Sequence, residues 1–218
     1  MVDHILCPLF VALVLLLGAN CACEEDEFGE VLHMEIPVDV GAERNLYRLG
    51  DTLWVTADFS KEVEVVGHNN RIDLVNYKFF SSFYISEISE PRLSFYTTSE
   101  VAIERGSIEI NQLGGYDYVF ENTGSRYLID FGVVLNQPGV FVASSSTDGD
   151  AQSGLDQSVH YTCGDNRRTN VFIDRINRFS TQENFEDHEE WNQVMIENFM
   201  QTFEGYQSVG AFTFRVME

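Results

Sequence analysis

Between Ile36 and Ile176, apolar side chains recur at every second position in short runs, and clusters of Gly, Asn, Asp and Ser separate the runs. A period of two places the apolar set on one face of an extended strand. A chain that repeats the pattern many times without helical segments between must stack sheet on sheet or close a sheet on itself. The clearest run is Leu53 to Phe59, where Leu53, Val55, Ala57 and Phe59 face one way and Trp54, Thr56 and Asp58 the other. Gly50-Asp51 supplies the turn into it. Ile36 to Val40 precedes it, with Pro37 tolerable at an edge or a strand start. Further runs cover Leu74–Phe79, Phe83–Ile88, Leu93–Thr97, Val101–Ile110, Tyr116–Glu121, Tyr127–Leu135 and Gly139–Ser144. Val159–Cys163 and Val171–Ile176 are expected as two later strands, after a polar surface loop from Ser144 to Gly154. Gly114-Gly115 and Asn122-Thr123-Gly124 provide the positive-φ positions that tight connections need.

Near the C-terminus the period changes. Trp191, Met195, Phe199 and Phe203 are spaced by four, and Val194, Ile196 and Met200 widen the stripe, so the spacing predicts an amphipathic helix over about 186–203. Ser180-Thr181-Gln182-Glu183 reads as a capping box that could start it a turn or two earlier, and Gly205 is its expected stop. Val209 to Val216 alternates again and is expected to pair back into the main sheet. The predicted fold is mainly β: an antiparallel sandwich, or a barrel-like closure of it, with one C-terminal amphipathic helix and a final strand. Residues 36–218 form a single domain in this reading.

With 44 % apolar residues, including 17 Phe, 9 Tyr and 2 Trp, the chain is too hydrophobic to remain a disordered acidic tail. Thirteen basic residues against 35 acidic ones give a formal net charge of −22. That field repels phosphate backbones and anionic lipid headgroups, so nucleic acid is excluded as a partner.

Ile5 to Ala19 is an almost unbroken apolar run, interrupted by Pro8 and shorter than the roughly 18 to 20 residues that cross a bilayer. Small residues and cysteines follow it: Gly18-Ala19-Asn20-Cys21-Ala22-Cys23. This order resembles a bacterial lipoprotein signal, in which the cysteine becomes the acylated first residue. Cys23, preceded by Ala22, matches better than the alternative Cys21, preceded by Asn20. Two features depart from that pattern: Met1 to His4 carries no Lys or Arg, and Asn20 stands three residues before Cys23 where an aliphatic is usual. An ordinary secretory leader is the other reading. Residues 1–22 are then a leader and 23–35 a tether, headed by Glu24-Glu25-Asp26-Glu27. An acidic run directly behind the acylated cysteine resembles the surface-export signal of Bacteroidota lipoproteins. The resemblance implies a protein held to the outer membrane by N-terminal lipid, palmitate included, and exposed at the cell surface. With Cys23 acylated, Cys163 has no disulfide partner and reads as a free structural thiol.

Tyr47 to Phe59, together with Gly210 to Val216, resembles a group of uncharacterised Bacteroidota lipoproteins with a β-rich, immunoglobulin-like sandwich body. The resemblance implies the sandwich and brings no activity, ligand or catalytic residue with it.

Chemistry-bearing residues are sparse in pattern. Asp148, Asp150 and Asp156 lie in a glycine-bearing loop and invite a calcium reading, but Ser153 and Val159 stand where an EF-hand loop needs Gly and Glu. His33, His68, His160 and His188 show neither i,i+4 pairing nor an HExxH arrangement, and no metal or other cofactor is expected. His188, among helix-face acids, is expected to be a solvated, partly protonated imidazole. Arg167-Arg168 reads as turn or rim chemistry. Trp54, Tyr116 and Tyr118 are the ligand-contact candidates, and with Asp58 and Asp117 they supply the ingredients of an aromatic cleft holding carboxylates. No GxSxG, GxxxxGK[ST] or GxGxxG stands in a strand-to-helix context, so no catalytic residue is assigned. The expected function is a non-enzymatic binding or accessory module for a protein or glycan partner. The alternatives are a carboxylate-dependent, glycosidase-like hydrolase and a structural component of an envelope complex. A paired-carboxylate pocket would mark the enzyme, an aromatic surface a glycan binder, and a long bare edge strand a protein binder.

Overall fold

The alternation over Leu53–Phe59 becomes a strand from Thr52 to Ser60 whose inward set, Leu53, Val55, Ala57 and Phe59, is buried while Trp54, Thr56 and Asp58 point out. In the computed structural model, residues 31–42, 44–67, 71–74, 79, 81–89, 92–145, 170–191 and 198–218 are described. The leader, Cys21, Cys23, the Glu24–Glu27 run, Asp148, Asp150, Asp156, Cys163, His68, His160, Arg167 and Arg168 lie outside the described residues. So do the predicted strand over 159–163 and most of the one over 74–79.

Five strands form the first sheet: β2 (Asp39–Val40), β4 (Thr52–Ser60), β9 (Val101–Arg105), β12 (Glu121–Asn122) and β13 (Arg126–Val134). β13 is central, with β4 along one side and both β9 and β12 along the other, and β2 lies beyond β4. The second sheet runs β10 (Ser107–Ile110), β11 (Tyr116–Val119), β7 (Ser81–Ser89), β14 (Gly139–Ser145), β16 (Phe212–Met217) and β3 (Leu46–Arg48), with β8 (Arg92–Phe95) also on β7. Aromatic and β-branched side chains from the two inner faces fill the space between: Phe83, Tyr116, Phe131, Phe141 and Phe214 are each at most 1 % exposed.

One border of the sandwich is closed by continuous chain. The expected Val101–Ile110 strand exists, but it leaves the first sheet as β9 and enters the second as β10, turning at Gly106. The return strand does the same in reverse, from β11 through Phe120 to β12. Gly106 adopts φ +78°, and a Cβ there would sit 2.6 Å from the Val119 carbonyl oxygen, so this corner requires glycine. Phe120 turns inward at the other crossing and packs edge-on against Phe59 and Phe79, with ring centroids 5.4 and 5.2 Å away.

Most ladders are antiparallel, as the short turn-separated runs predict. Two are parallel: β16 beside β3, and β1 (Val31–Pro37) beside β15 (Asn170–Ile176). β1 runs on into β2, and Val38 N donates to the Ile176 carbonyl at 3.0 Å. A small hairpin of β5 (Glu62–Glu64) and β6 (Arg71–Asp73) meets β1 through a bridge between Met34 and Val65.

The helical region departs from the single helix over 186–203. Helix α1 covers Gln182–Trp191, a 3-10 turn covers Asn198–Gln201, and helix α2 covers Phe203–Ser208. α1 starts at the earlier option, and the cap is Thr181, whose hydroxyl accepts from Asn184 N at 3.2 Å. Ser180 instead donates its hydroxyl to the Ala211 carbonyl. Thr202 is extended and accepts from Gly205 N at 3.1 Å, so it starts a new helix where the four-residue spacing predicts continuation. Gly205 lies inside α2 and does not stop it. α1 and α2 cover the outer face of β14 and β16, where Val142, Phe185, Met200, Tyr206 and Ala211 form a second core. β16 pairs into the second sheet as expected, between β14 and β3.

Candidate functional site

Register determines what the outer face of the first sheet presents. Asp39 pairs with Thr56, Thr56 with Asp130, and Asp130 with Arg105, so one row across four strands reads Asp, Thr, Asp, Arg. These side chains are polar because their alternation phase points them away from the core. A groove of about 420 Å³ follows the row and is lined by Pro37, Thr56, Asp58, Arg105, Leu128 and Asp130 among others. Asp39 is held by Arg178, whose Nε is 3.2 Å away, and Asp58 by the Nε of Arg126. Asp130 is different. Its Oδ1 is buried without a hydrogen-bond partner, and burial pushes its carboxyl above the usual carboxylate range, with Glu104 adding and Arg105 opposing.

Trp54 lies in the next row, opposite Gly132, which pairs in turn with Ala102. A Cβ at Gly132 would stand 3.2 Å from Cδ2 and Cε3 of Trp54 and 2.3 Å from Cγ2 of Thr52, so the bare glycine lets the indole lie down on the sheet. Trp54 is half-buried, and among the described residues its indole N–H has no partner. Asp130 is its diagonal neighbour across the ladder, on the same face.

Tyr116 and Tyr118 do not join Trp54. They point inward from β11 and are 0 % and 1 % exposed. The Tyr116 hydroxyl accepts from Thr98 N at 2.9 Å and donates to the Thr98 carbonyl at 3.1 Å, whereas the Tyr118 hydroxyl is buried without a partner. Asp117, between them, faces out from the second sheet and accepts from Ser82 Oγ at 2.6 Å and Asn111 Nδ2 at 2.8 Å. Of the sequence candidates, Trp54 and Asp58 therefore share a face, while Tyr116, Asp117 and Tyr118 belong elsewhere. The border strand Val101–Ile110 is exposed along one side, but an extra residue at Glu104 bulges it and Glu104, Arg105 and Glu109 charge it, devices that blunt strand addition.

A second concavity, of about 500 Å³, opens at the opposite border, between Ala42 and Asn45 on one side and α1 on the other. Ala42, Asn45, Arg178, Phe179 and Phe212 line it with Glu183 and Asp187 of α1. The Arg178 guanidinium lies 4.8 Å above the Phe179 ring while pairing with Asp39. Asn45 donates its amide to Oδ2 of Asp187, and burial, aided by Glu183, raises the Asp187 carboxyl above its ordinary range.

Behind that cleft, α1 is docked by a buried polar chain. Asn184 Oδ1 accepts from Thr213 N at 3.0 Å and its Nδ2 donates to the Thr213 carbonyl at 2.8 Å, which fixes the amide orientation. The Tyr206 hydroxyl must then donate to Asn184 Oδ1, at 2.5 Å, and accept from Thr213 Oγ1, at 2.9 Å. Thr213 Oγ1, its proton committed, accepts from His188 Nδ1–H at 2.9 Å. The geometry places a proton on Nδ1. His188 is 3 % exposed, so the solvated imidazole expected from its acidic neighbours in sequence is not what forms. Burial lowers it from 6.5 to about 4.

Sequence reasoning missed Asp39, Asp130 and Arg105 because cross-strand register joins them, and nothing local encodes it. Among the described residues, no group of three or more His, Cys, Asp or Glu is placed to hold a metal ion, and no helix is long and apolar enough to cross a membrane. Compared with protein-family models and with curated proteins, the chain matches neither.

Proposed function

We propose that this chain is a lipid-anchored surface or outer-membrane lipoprotein whose sandwich is a non-enzymatic binding module, and that it holds a glycan on the outer face of the first sheet. The observation that carries this reading is Trp54 lying over Gly132 beside the Asp39, Thr56, Asp130, Arg105 row. An indole face packs against the C–H face of a pyranose, while neighbouring carboxylates, a hydroxyl and a guanidinium match its hydroxyl groups. An open, preformed sheet face also suits a partner presented as a chain outside the cell. The leader, Cys23 and the acidic tether support the address.

A glycan array probed with detergent-extracted full-length protein tests the ligand class. Trp54→Ala should weaken retention about tenfold, the scale of one lost aromatic contact, while Tyr84→Ala on the other sheet should not. Equal retention by both variants, or no glycan retained at all, sinks the reading. For the anchor, intact mass decides: an unmodified N-terminus downstream of Cys23 ends that part. The hydrolase reading draws on one observation, the raised carboxyl of Asp130 in a groove with Asp58. It requires release of new reducing ends from a retained glycan, abolished by Asp130→Asn.

A further inference from the structure

Among the described residues, three guanidinium groups stand at the groove on the outer face of the first sheet, and each already has a carboxylate. Arg178 pairs with Asp39 at 3.2 Å, Arg126 with Asp58, and Arg105 with Glu121 at 3.4 Å. What remains in the middle of the row is Asp130, which has no ion-pair partner among the described residues. Burial raises its carboxyl first of all, and the charge of Glu104 adds more to the rise than Arg105 takes away. The uncompensated charge along the groove is therefore negative, within a chain of formal net charge −22.

This arrangement treats two kinds of sugar differently. An incoming sugar carboxylate takes one of the guanidinium groups only by displacing its present partner, which leaves a second unpaired anion beside Asp130. A sugar hydroxyl donates to a carboxylate and accepts from a guanidinium without breaking any pair. The row also has length. It crosses β2, β4, β13 and β9, about 14 Å at the usual strand spacing, which exceeds one pyranose ring. Its two ends are exposed ion pairs and not walls: the side chains of Arg178 and Arg105 are 71 % and 56 % exposed. A chain can run past both borders of the sheet.

We infer, resting on the glycan reading, that the ligand is an uncharged glycan held along its length: several neutral sugar rings laid across the row from β2 to β9, with one ring stacked on Trp54. Uronic and other acidic sugars are refused at the groove itself, by Asp130 and by the paired state of Arg105, Arg126 and Arg178. That refusal is local and separate from the general repulsion between anions and a strongly acidic chain.

The test is titration calorimetry of the detergent-extracted full-length protein, at physiological ionic strength, with matched hexasaccharides of the glucose, galactose and mannose series, each neutral or carboxylated at C6. At least one neutral member should bind, its acidic counterpart about tenfold or more weaker, and its monosaccharide weaker by at least as much. Asp130→Asn should narrow the gap between neutral and acidic members severalfold. Asp58→Asn, at a side chain 59 % exposed, frees Arg126, should narrow the gap as well, and keeps the test valid if the Asp130 variant does not fold. Glu109→Gln, exposed on β10 of the other sheet, removes the same unit of charge and should leave the gap unchanged. Equal binding of acidic and neutral members, a gap that Glu109→Gln narrows as much as the groove variants do, or a monosaccharide as tight as its hexasaccharide would each overturn the inference while the glycan reading stands. Failure of every oligosaccharide to bind removes the glycan reading itself, and this inference with it.

Discussion

Acidification should undock α1, and His188 sets the size of the effect. Burial among Phe185, Tyr206 and Thr213 holds the imidazole at about 4 against an ordinary 6.5. Between those two pH values the unfolded chain takes a proton that the folded chain refuses. The stability tied to neutral His188 is therefore complete above pH 6.5 and is lost as pH falls toward 4. A shift of that size corresponds to about 3 kcal/mol across the window, and His188 is too buried for solvent to screen much of it. Asp130 and Asp187 work the other way, because raised carboxyls favour the folded state on protonation. The wild-type pH profile alone thus mixes both signs. The clean quantity is the difference in urea stability between wild type and His188→Gln, measured from pH 7.5 down to 4. It should shrink by about 3 kcal/mol, most steeply below pH 6. A difference that stays flat with pH, or a folded-state imidazole resonance titrating near 6.5, would show that burial does not hold the ring neutral.

Two further predictions concern the core and the corner. Gly106→Ala should cost more than about 2 kcal/mol, because a methyl there collides with the Val119 carbonyl as well as opposing the backbone. Gly124→Ala, at φ +88° with open space around it, should cost only about 1 kcal/mol, and similar melting shifts for the two would refute the collision. Tyr118→Phe should be neutral or stabilising by up to about 1 kcal/mol, since it removes a buried hydroxyl with no partner, whereas Tyr116→Phe should destabilise by about 1 kcal/mol through its lost bonds to Thr98. Chemical denaturation reads both, and a destabilised Tyr118→Phe would mean the hydroxyl is satisfied.

Strands were legible wherever one face is buried. Leu53 to Phe59 shows its inward and outward sets directly, and the same phase rule already separates Asp117 from Tyr116 and Tyr118, whose alternation marks them as core. What alternation does not carry is partnership. Nothing in Tyr47 or Val216 signals that their strands run parallel, and nothing in Asp39 or Asp130 signals that both flank Thr56. The break in the expected helix has a local cause. The stripe from Trp191 to Phe203 keeps helical spacing, but a 3-10 turn can present Met200 to the same core, and Thr202 with its hydroxyl on Gly205 N was a start signal lying inside the stripe. His188 departs from its sequence expectation because its neighbours along the chain are acids while its neighbours in space are Phe185, Tyr206 and Thr213.

The strands that turn at Gly106 and Phe120 belong to both sheets at once, so a one-residue slip in either ladder drags the other with it. That border behaves as a bound spine. Across from it the layers are tied by side chains: Asn177 Nδ2 donates both to the Val40 carbonyl in β2 and to the Gly210 carbonyl leading into β16. The spine thus fixes the alignment of the Trp54 face, while the opposite margin is held together by side-chain hydrogen bonds.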